Sequence, residues 1–157
     1  MKLYKIKKSN IDKKGLCASK NIKAGEKIIE YIGKLISKKE TETNPKFDNE
    51  KDIYLFNLNK RYDLDGNYHW NPARLINHSC NPNCEVEGKG LKLWISAIKD
   101  IKKGEELSYD YGFSYSKEDL KNFVCKCGSV NCCGYIVREP SRWRINKRFK
   151  ISNRTNK

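Results

Sequence analysis

The chain has 157 residues and a formal charge of +14, from 33 Lys and Arg against 19 Asp and Glu. That length suits one domain that buries roughly two thirds of its unfolded surface and needs no disulfide staples. No apolar run approaches the roughly 20 residues that span a bilayer, and the opening MKLYKIKKSN has no apolar signal-peptide core, so the expectation is a soluble, intracellular protein with no membrane partner. An odd count of seven cysteines then points to reduced thiols and metal binding rather than disulfides.

In chain order, residues 1–14 form a basic arm with six basic and one acidic side chain. GLCAS, KIIEYIGKLIS, YLFNL and RYDLD follow as short strands, rich in β-branched and aromatic residues and separated by Gly, Asn, Asp and Lys. Between them, Lys38 to Asp52 is polar and contains Pro45, and reads as a loop or irregular insert. In ARLINHSCNPNC, Leu75 and Ile76 read as buried, yet Asn77, His78, Ser79 and Cys80 follow directly, and Pro82 stops a helix from carrying them to the surface. Buried polar groups need partners. A polar turn closing a buried strand is the plain reading of that run.

The turn signal EGKG precedes a strand, LKLWISAI. Then KDIKKGEELSYDYG, Lys99 to Gly112, echoes KNIKAGEKIIEYIG, Lys20 to Gly33, at an offset of 79 positions. Both read as hairpins around a Gly-Glu turn, and the second copy carries Ser108, Tyr109 and Tyr111 where the first has Ile29, Glu30 and Ile32. SKEDLKNF resembles a short capped helix start. In CKCGSVNC, the CxCx4C spacing of Cys125, Cys127 and Cys132 offers three thiolates to one tetrahedral zinc, with the fourth ligand open among Cys80, Cys84, Cys133, Cys17 and His78. Residues 138–157 close the chain as a second basic arm, eight basic and one acidic. Two basic arms around a nearly neutral middle point to contact with nucleic acid or something bound to it.

Taken in order, ARLINHSC, GEELSYDYG and CKCGSVNCCG resemble the SET-domain protein lysine methyltransferases. The resemblance covers most of the chain and implies a mostly β fold: short twisted sheets with a pseudoknot, few short helices, and a small zinc-binding tail. It divides the chain into a minimal SET domain at 1–115, a post-SET segment at 116–137 and a basic extension at 138–157.

The resemblance also assigns roles. The NHSC segment is threaded beside YDYG, so that Asn77 and His78 meet S-adenosylmethionine and Cys80 completes one zinc with Cys125, Cys127 and Cys132. Tyr68 and Arg74 lie along the cofactor, and the backbone of Lys14 and Gly15 meets its methionine part. Tyr54, Tyr109 and Tyr111 line the lysine channel, with Tyr111 orienting the amine and Tyr109 limiting the product to one methyl group. Two positions depart from the family. Lys13 stands where the first glycine of a Gly-x-Gly turn belongs, implying a looser turn, and Val137 replaces a frequent aromatic, leaving Ile136 or Trp143 to cover the adenine.

The implied activity is methyl transfer to a lysine of a histone tail or another basic, nucleic-acid-associated protein. The location is nuclear and chromatin-associated for a eukaryotic or viral source, cytoplasmic or host-delivered for a bacterial one. The basic arm from Arg142 onward is expected to act in substrate docking rather than chemistry. The alternative is a non-catalytic basic zinc module that binds nucleic acid or chromatin, in which the hydroxyls of SYDY and the Asn77–His78 pair have no role.

Overall fold

The computed structural model describes residues 1–47 and 54–148. Among these, strands of two to six residues form four small sheets with one six-residue α-helix. β1 (Tyr4–Lys8) and β2 (Lys14–Ala18) pair antiparallel, so the first basic arm is a strand and not a solvated tail. Its alternating YKIKK pattern carries that information, but the lysines obscure it.

The turn between them closes tightly even without the expected glycine. Ser9 N–H donates to the Lys13 carbonyl at 3.1 Å, and Ser9 Oγ accepts from the backbone N–H of Ile11 and Asp12. Lys13 takes the left-handed conformation itself, at φ +44°.

The run Lys27 to Ser37 divides into β3 (Lys27–Tyr31) and β4 (Lys34–Ser37), which join different sheets. The break falls at Gly33, where a Cβ would sit 2.2 Å from the Asp65 carbonyl oxygen. The polar insert begins as a helix, α1 (Lys38–Thr43), capped by Ser37 Oγ on Glu40 N–H and tied to buried Asp63 by Lys38 and Thr41. Residues 48–52 of that insert lie outside the described residues.

β5 (Leu55–Asn57) and β6 (Tyr62–Asp65) complete the sheet β4–β6–β5, leaving β5 on an edge. Further along come β7 (Asn77–His78), β8 (Cys84–Lys89), β9 (Lys92–Ala97) and β10 (Ser108–Tyr109). β9 lies between β3 and β8 at the centre of the third sheet. The echoed segments are not hairpins: β3 pairs with β9, a strand outside both copies. Ile22 and Ile101 exchange both backbone hydrogen bonds, at 2.9 and 2.8 Å. Gly25 N–H reaches the Ala97 carbonyl and Gly104 N–H reaches that of Ala18. Ala97 stands 79 positions after Ala18, so the copies face each other across a local two-fold axis.

Leu16, Ile22, Ile76, Ile95, Ile101 and Leu107 are fully buried where the sheets converge. The last sheet is the parallel pair β7–β10, Asn77 opposite Ser108 and His78 opposite Tyr109. SKEDLKNF forms a turn and a short 3-10 segment, Leu120–Asn122, in place of the expected helix, although Ser116 Oγ does accept from Asp119 N–H. No described helix is long and apolar enough to cross a membrane.

The strain at Lys13 is testable. A left-handed lysine costs about 1–2 kcal/mol, and glycine gives back part of the relief as unfolded-state entropy. Lys13→Gly is expected to raise stability by about 0.5–1 kcal/mol in urea unfolding; a loss of stability would show that the lysine side chain has a compensating contact.

Candidate active site and metal centre

Four thiols from two distant segments meet beside β7. The Sγ atoms of Cys80, Cys125, Cys127 and Cys132 all lie within 4.8 Å of one another. Cys80 Sγ is 3.8 Å from that of Cys125 and 4.0 Å from that of Cys132. A tetrahedral zinc with bonds of about 2.3 Å places its sulfurs roughly 3.8 Å apart, so the cluster has the size of a four-thiolate site.

The donors around it also fit. Cys127 Sγ accepts from Cys80 N–H, and Cys132 Sγ accepts from Gly134 N–H. The Cys125 thiol and burial together push the Cys80 thiol far above its ordinary range, and burial takes Cys132 up to about 11. Against the burial that opposes it, hydrogen bonds from Ser129 and Cys80 N–H bring Cys127 down to about 6. A divalent cation removes that conflict by neutralising neighbouring thiolates. The fifth thiol, Cys133, lies 3.9 Å from Cys80 Sγ, but it donates to the Tyr135 carbonyl at 3.1 Å. It is therefore a bystander.

The residues before Cys80 organise a cavity of about 500 Å³, lined by Lys14, Tyr54, Arg74, Asn77, His78, Tyr111 and Ile136 among others. Asn77 Nδ2 is 2.9–3.2 Å from Ser9 Oγ, Glu106 Oε1 and the carbonyls of Asp12 and Lys14. Its amide thus fixes the β1–β2 turn as one wall. His78 is buried, which lowers its pKa to about 4 and keeps it neutral. Nδ1 accepts from Tyr111 N–H at 3.2 Å, which assigns the proton to Nε2, 3.7 Å from Cys80 Sγ.

Tyr111 is held at a second point, its hydroxyl donating to the Ile76 carbonyl at 3.0 Å. Burial, with Tyr54 beside it, raises its pKa well beyond the ordinary range, and burial raises that of Tyr109 likewise. Both phenols stay protonated.

A second cavity, of about 540 Å³, also borders Tyr111. Leu55, Phe56 and Asn57 of β5 line it, with Tyr109, Tyr111, Phe113, Phe123, Ile136 and Val137. Tyr111 and Ile136 border both cavities. Successive rings run along it: Phe56 to Tyr109 at 6.1 Å, Tyr109 to Tyr111 at 5.0 Å, Tyr111 to Phe113 at 5.7 Å, Phe113 to Phe123 at 5.2 Å. Asp119 is the one carboxylate among the described residues of its lining.

The sequence-predicted residues therefore assemble unevenly. Lys14, Arg74, Asn77, His78 and Ile136 border the first cavity, Tyr109 the second, Tyr54 the first and Tyr111 both. Gly15 lies beneath Glu106 Oε1, 2.4 Å from where its Cβ would stand, and Tyr68 stacks on Trp70 at 4.9 Å under Lys34, so neither borders the first cavity. Trp143 is 44% exposed and borders neither. Sequence reasoning missed Ser9, Glu106, Asp110 and Arg142, whose roles depend on partners 29 to 97 positions away.

The family can now be tested directly. The sequence model of the SET domain matches residues 13–112. The chain belongs to the SET-domain family. It is 38% identical over 135 residues to the histone-lysine N-methyltransferase trithorax of Drosophila virilis, covering 82% of this chain and 3% of that protein. It is 40% identical over 136 residues to the histone-lysine N-methyltransferase, H3 lysine-4 specific, of Schizosaccharomyces pombe, covering 82% and 14%. It is 36% identical over 150 residues to the human H3 lysine-36 specific enzyme, covering 87% and 5%. This SET chain thus spans a small part of the length of those relatives. The first cavity combines the charged groups of Lys14, Arg74 and Asp12 with aromatic and aliphatic surface from Tyr54, Leu75 and Ile136.

The metal assignment makes a prediction. Cys125→Ser is expected to release zinc and unfold the tail, with up to on the order of 10 kcal/mol of metal-linked ordering at stake, whereas Cys133→Ser retains one zinc per chain. Elemental analysis of the purified variants decides it; zinc kept by the first or lost by the second would reassign the ligands.

Proposed function

We propose that this chain is a protein-lysine N-methyltransferase that uses S-adenosylmethionine and adds mainly one methyl group to a lysine of a histone or another nucleic-acid-associated protein. One observation carries the reading: two cavities meet at a single tyrosine, one with charged walls and one with aromatic walls. Bound in the first, S-adenosylmethionine would supply an electrophilic methyl group. Lys14, Arg74, Asn77 and His78 would hold it there, with Ile136 against the adenine.

The residues of the second cavity favour a lysine as the acceptor. At pH 7 a free lysine is neutral only about once in several thousand molecules, a cost of about 4–5 kcal/mol. Burial among Phe56, Tyr109, Tyr111, Phe113 and Phe123 disfavours the ammonium and offsets part of it. Neither the two phenols nor Asp110 acts as a base. Both phenols remain protonated, and the Asp110 carboxylate is occupied by Arg142 and by the N–H groups of Gly112 and Glu139. Positioning, worth roughly 7–11 kcal/mol in well-aligned reactions, then lowers the barrier more than proton transfer does. Tyr111, anchored at its amide and its hydroxyl, provides it.

Edge strand β5 supports an extended peptide pairing alongside the channel, and the Asp119 carboxylate on that cavity supports a basic peptide. The names of the relatives specify different histone H3 lysines, so the histone class carries over and the target position does not. Exposed Lys5, Lys7 and Lys8 on β1 support a polyanion beside the substrate, as chromatin provides. A nuclear, chromatin-associated site of action follows from this reading.

Calorimetry with S-adenosylmethionine separates this enzyme from a non-catalytic zinc module, which would show no binding. For the product, no described residue hydrogen-bonds the Tyr109 hydroxyl, leaving it free to hold a water in the space a second methyl needs. Such a water contributes roughly 1 kcal/mol, so the block yields to one change. Tyr109→Phe is expected to give di- or trimethyllysine at a similar first-step rate, and Tyr111→Phe to stop transfer. Mass spectrometry of the peptide decides: trimethyllysine from the unsubstituted chain would show that Tyr109 does not limit the channel.

A further inference from the structure

Among the described residues Arg142 is the one buried arginine, 4% exposed. It stands in the basic extension, within the 3-10 turn Glu139–Arg144. It is thus unavailable to a docking arm. Its guanidinium donates to three separate segments. Nε–H reaches the Val137 carbonyl at 2.9 Å, Nη1–H the Cys80 carbonyl at 2.8 Å, and Nη2–H the Asp110 Oδ2 at 2.8 Å.

Each partner borders the site. Cys80 belongs to the metal cluster, Asp110 stands between Tyr109 and Tyr111, and Val137 lines the aromatic cavity. Asp110 extends the network by accepting from Gly112 N–H at 2.9 Å and Glu139 N–H at 3.0 Å. A planar fork with fixed donor directions sets the relative placement of its acceptors, as a lysine ammonium cannot. An arginine serving only its own turn would need local acceptors, whereas two of these lie 62 and 32 positions away.

We propose that Arg142 is a positioning residue for methyl transfer: through Asp110 and the Cys80 carbonyl it fixes the Tyr109–Tyr111 segment against the metal centre and so sets the geometry of the lysine channel. The inference rests on the methyltransferase reading above. Slack between these segments lets the target amine leave its line of attack and opens room beside it. Arg142 borders neither cavity, so its loss is expected to lower turnover far more than cofactor affinity.

The test uses the zinc-loaded full chain, a histone-tail peptide and S-adenosylmethionine. Zinc content, cofactor Kd, kcat and KM for the peptide, and the methylation state of the product are measured for Arg142→Lys and Arg142→Ala. Expected for Arg142→Lys is one zinc per chain, cofactor Kd within twofold, kcat lower by about 10- to 100-fold, and a larger share of dimethyllysine. Arg142→Ala is expected to regain turnover when millimolar guanidinium is added. Wild-type kcat and product in either folded variant would overturn the proposal. So would a parallel fall of kcat and cofactor affinity, or loss of zinc and fold in both variants, since each marks a merely structural residue. An unsubstituted chain that transfers no methyl group would instead remove the methyltransferase reading, and this inference with it.

Discussion

Two residues of β7 lie parallel to two residues of β10, and that contact joins Asn77 and His78 to Tyr109 and the Tyr111 that follows it. A parallel ladder this short has little stability of its own. Side chains make up the difference. Asn83 receives Ser108 N–H on its Oδ1 and donates from Nδ2 to the Glu106 carbonyl, while its own N–H meets the Ser108 carbonyl. Tyr111 adds two bonds to the segment from Ile76 to His78. The polar run after Ile76 is buried because the YDYG segment supplies its partners, while Asn77 turns outward to the β1–β2 turn and Glu106.

The local two-fold explains why β10 is available for this. In the first copy the strand after the Gly-Glu turn is β3, which lies against β9 in a three-stranded sheet. In the second copy the matching strand pairs only with the two residues of β7, and its Tyr109 lines the aromatic cavity. The paired turns, Ile22 against Ile101, carry the packing load for both copies. One half of a repeated scaffold is thereby left free to carry polar side chains at little cost to the core.

Much of this is legible in the sequence, and what is not has a common cause. Local signals locate β2, β3, β4, β5, β6 and β9, because each gathers apolar, β-branched or aromatic residues into a short run, although those of β4 and β5 are only half-buried or exposed. β1 and β8 give no such signal: YKIKK and CEVEGK are mostly polar, and their strand state comes from β2 and β9. The cysteine spacing and the NHSC and YDYG runs locate the metal cluster and Tyr111. The echoed segments read as hairpins but are not, because a Gly-Glu turn specifies a reversal and not the strand that pairs after it. Resemblance alone places Tyr68 along the cofactor, and its ring packs on Trp70. Arg142 looks like one charge among eight in a basic tail; its burial depends on acceptors that no local window contains.

Cys80 concentrates these dependencies in one residue. Its thiol belongs to the metal cluster, its N–H donates to Cys127 Sγ, and its carbonyl accepts from both Arg142 and Asn131. The tail it binds is the same segment that brings Ile136 to the wall of both cavities. Ile136 is set by a backbone bond to Phe123, and the strand-like bridge of Val124 with Tyr135 closes around the cysteines. Neither cavity is therefore enclosed by the core alone. The wall is completed when a tail with little apolar surface of its own folds around its cysteine cluster, and where such a cluster holds a metal the folding of a small unit is linked to binding. In this chain the thiols decide whether the two cavities have a second wall, and Cys125 itself borders the first.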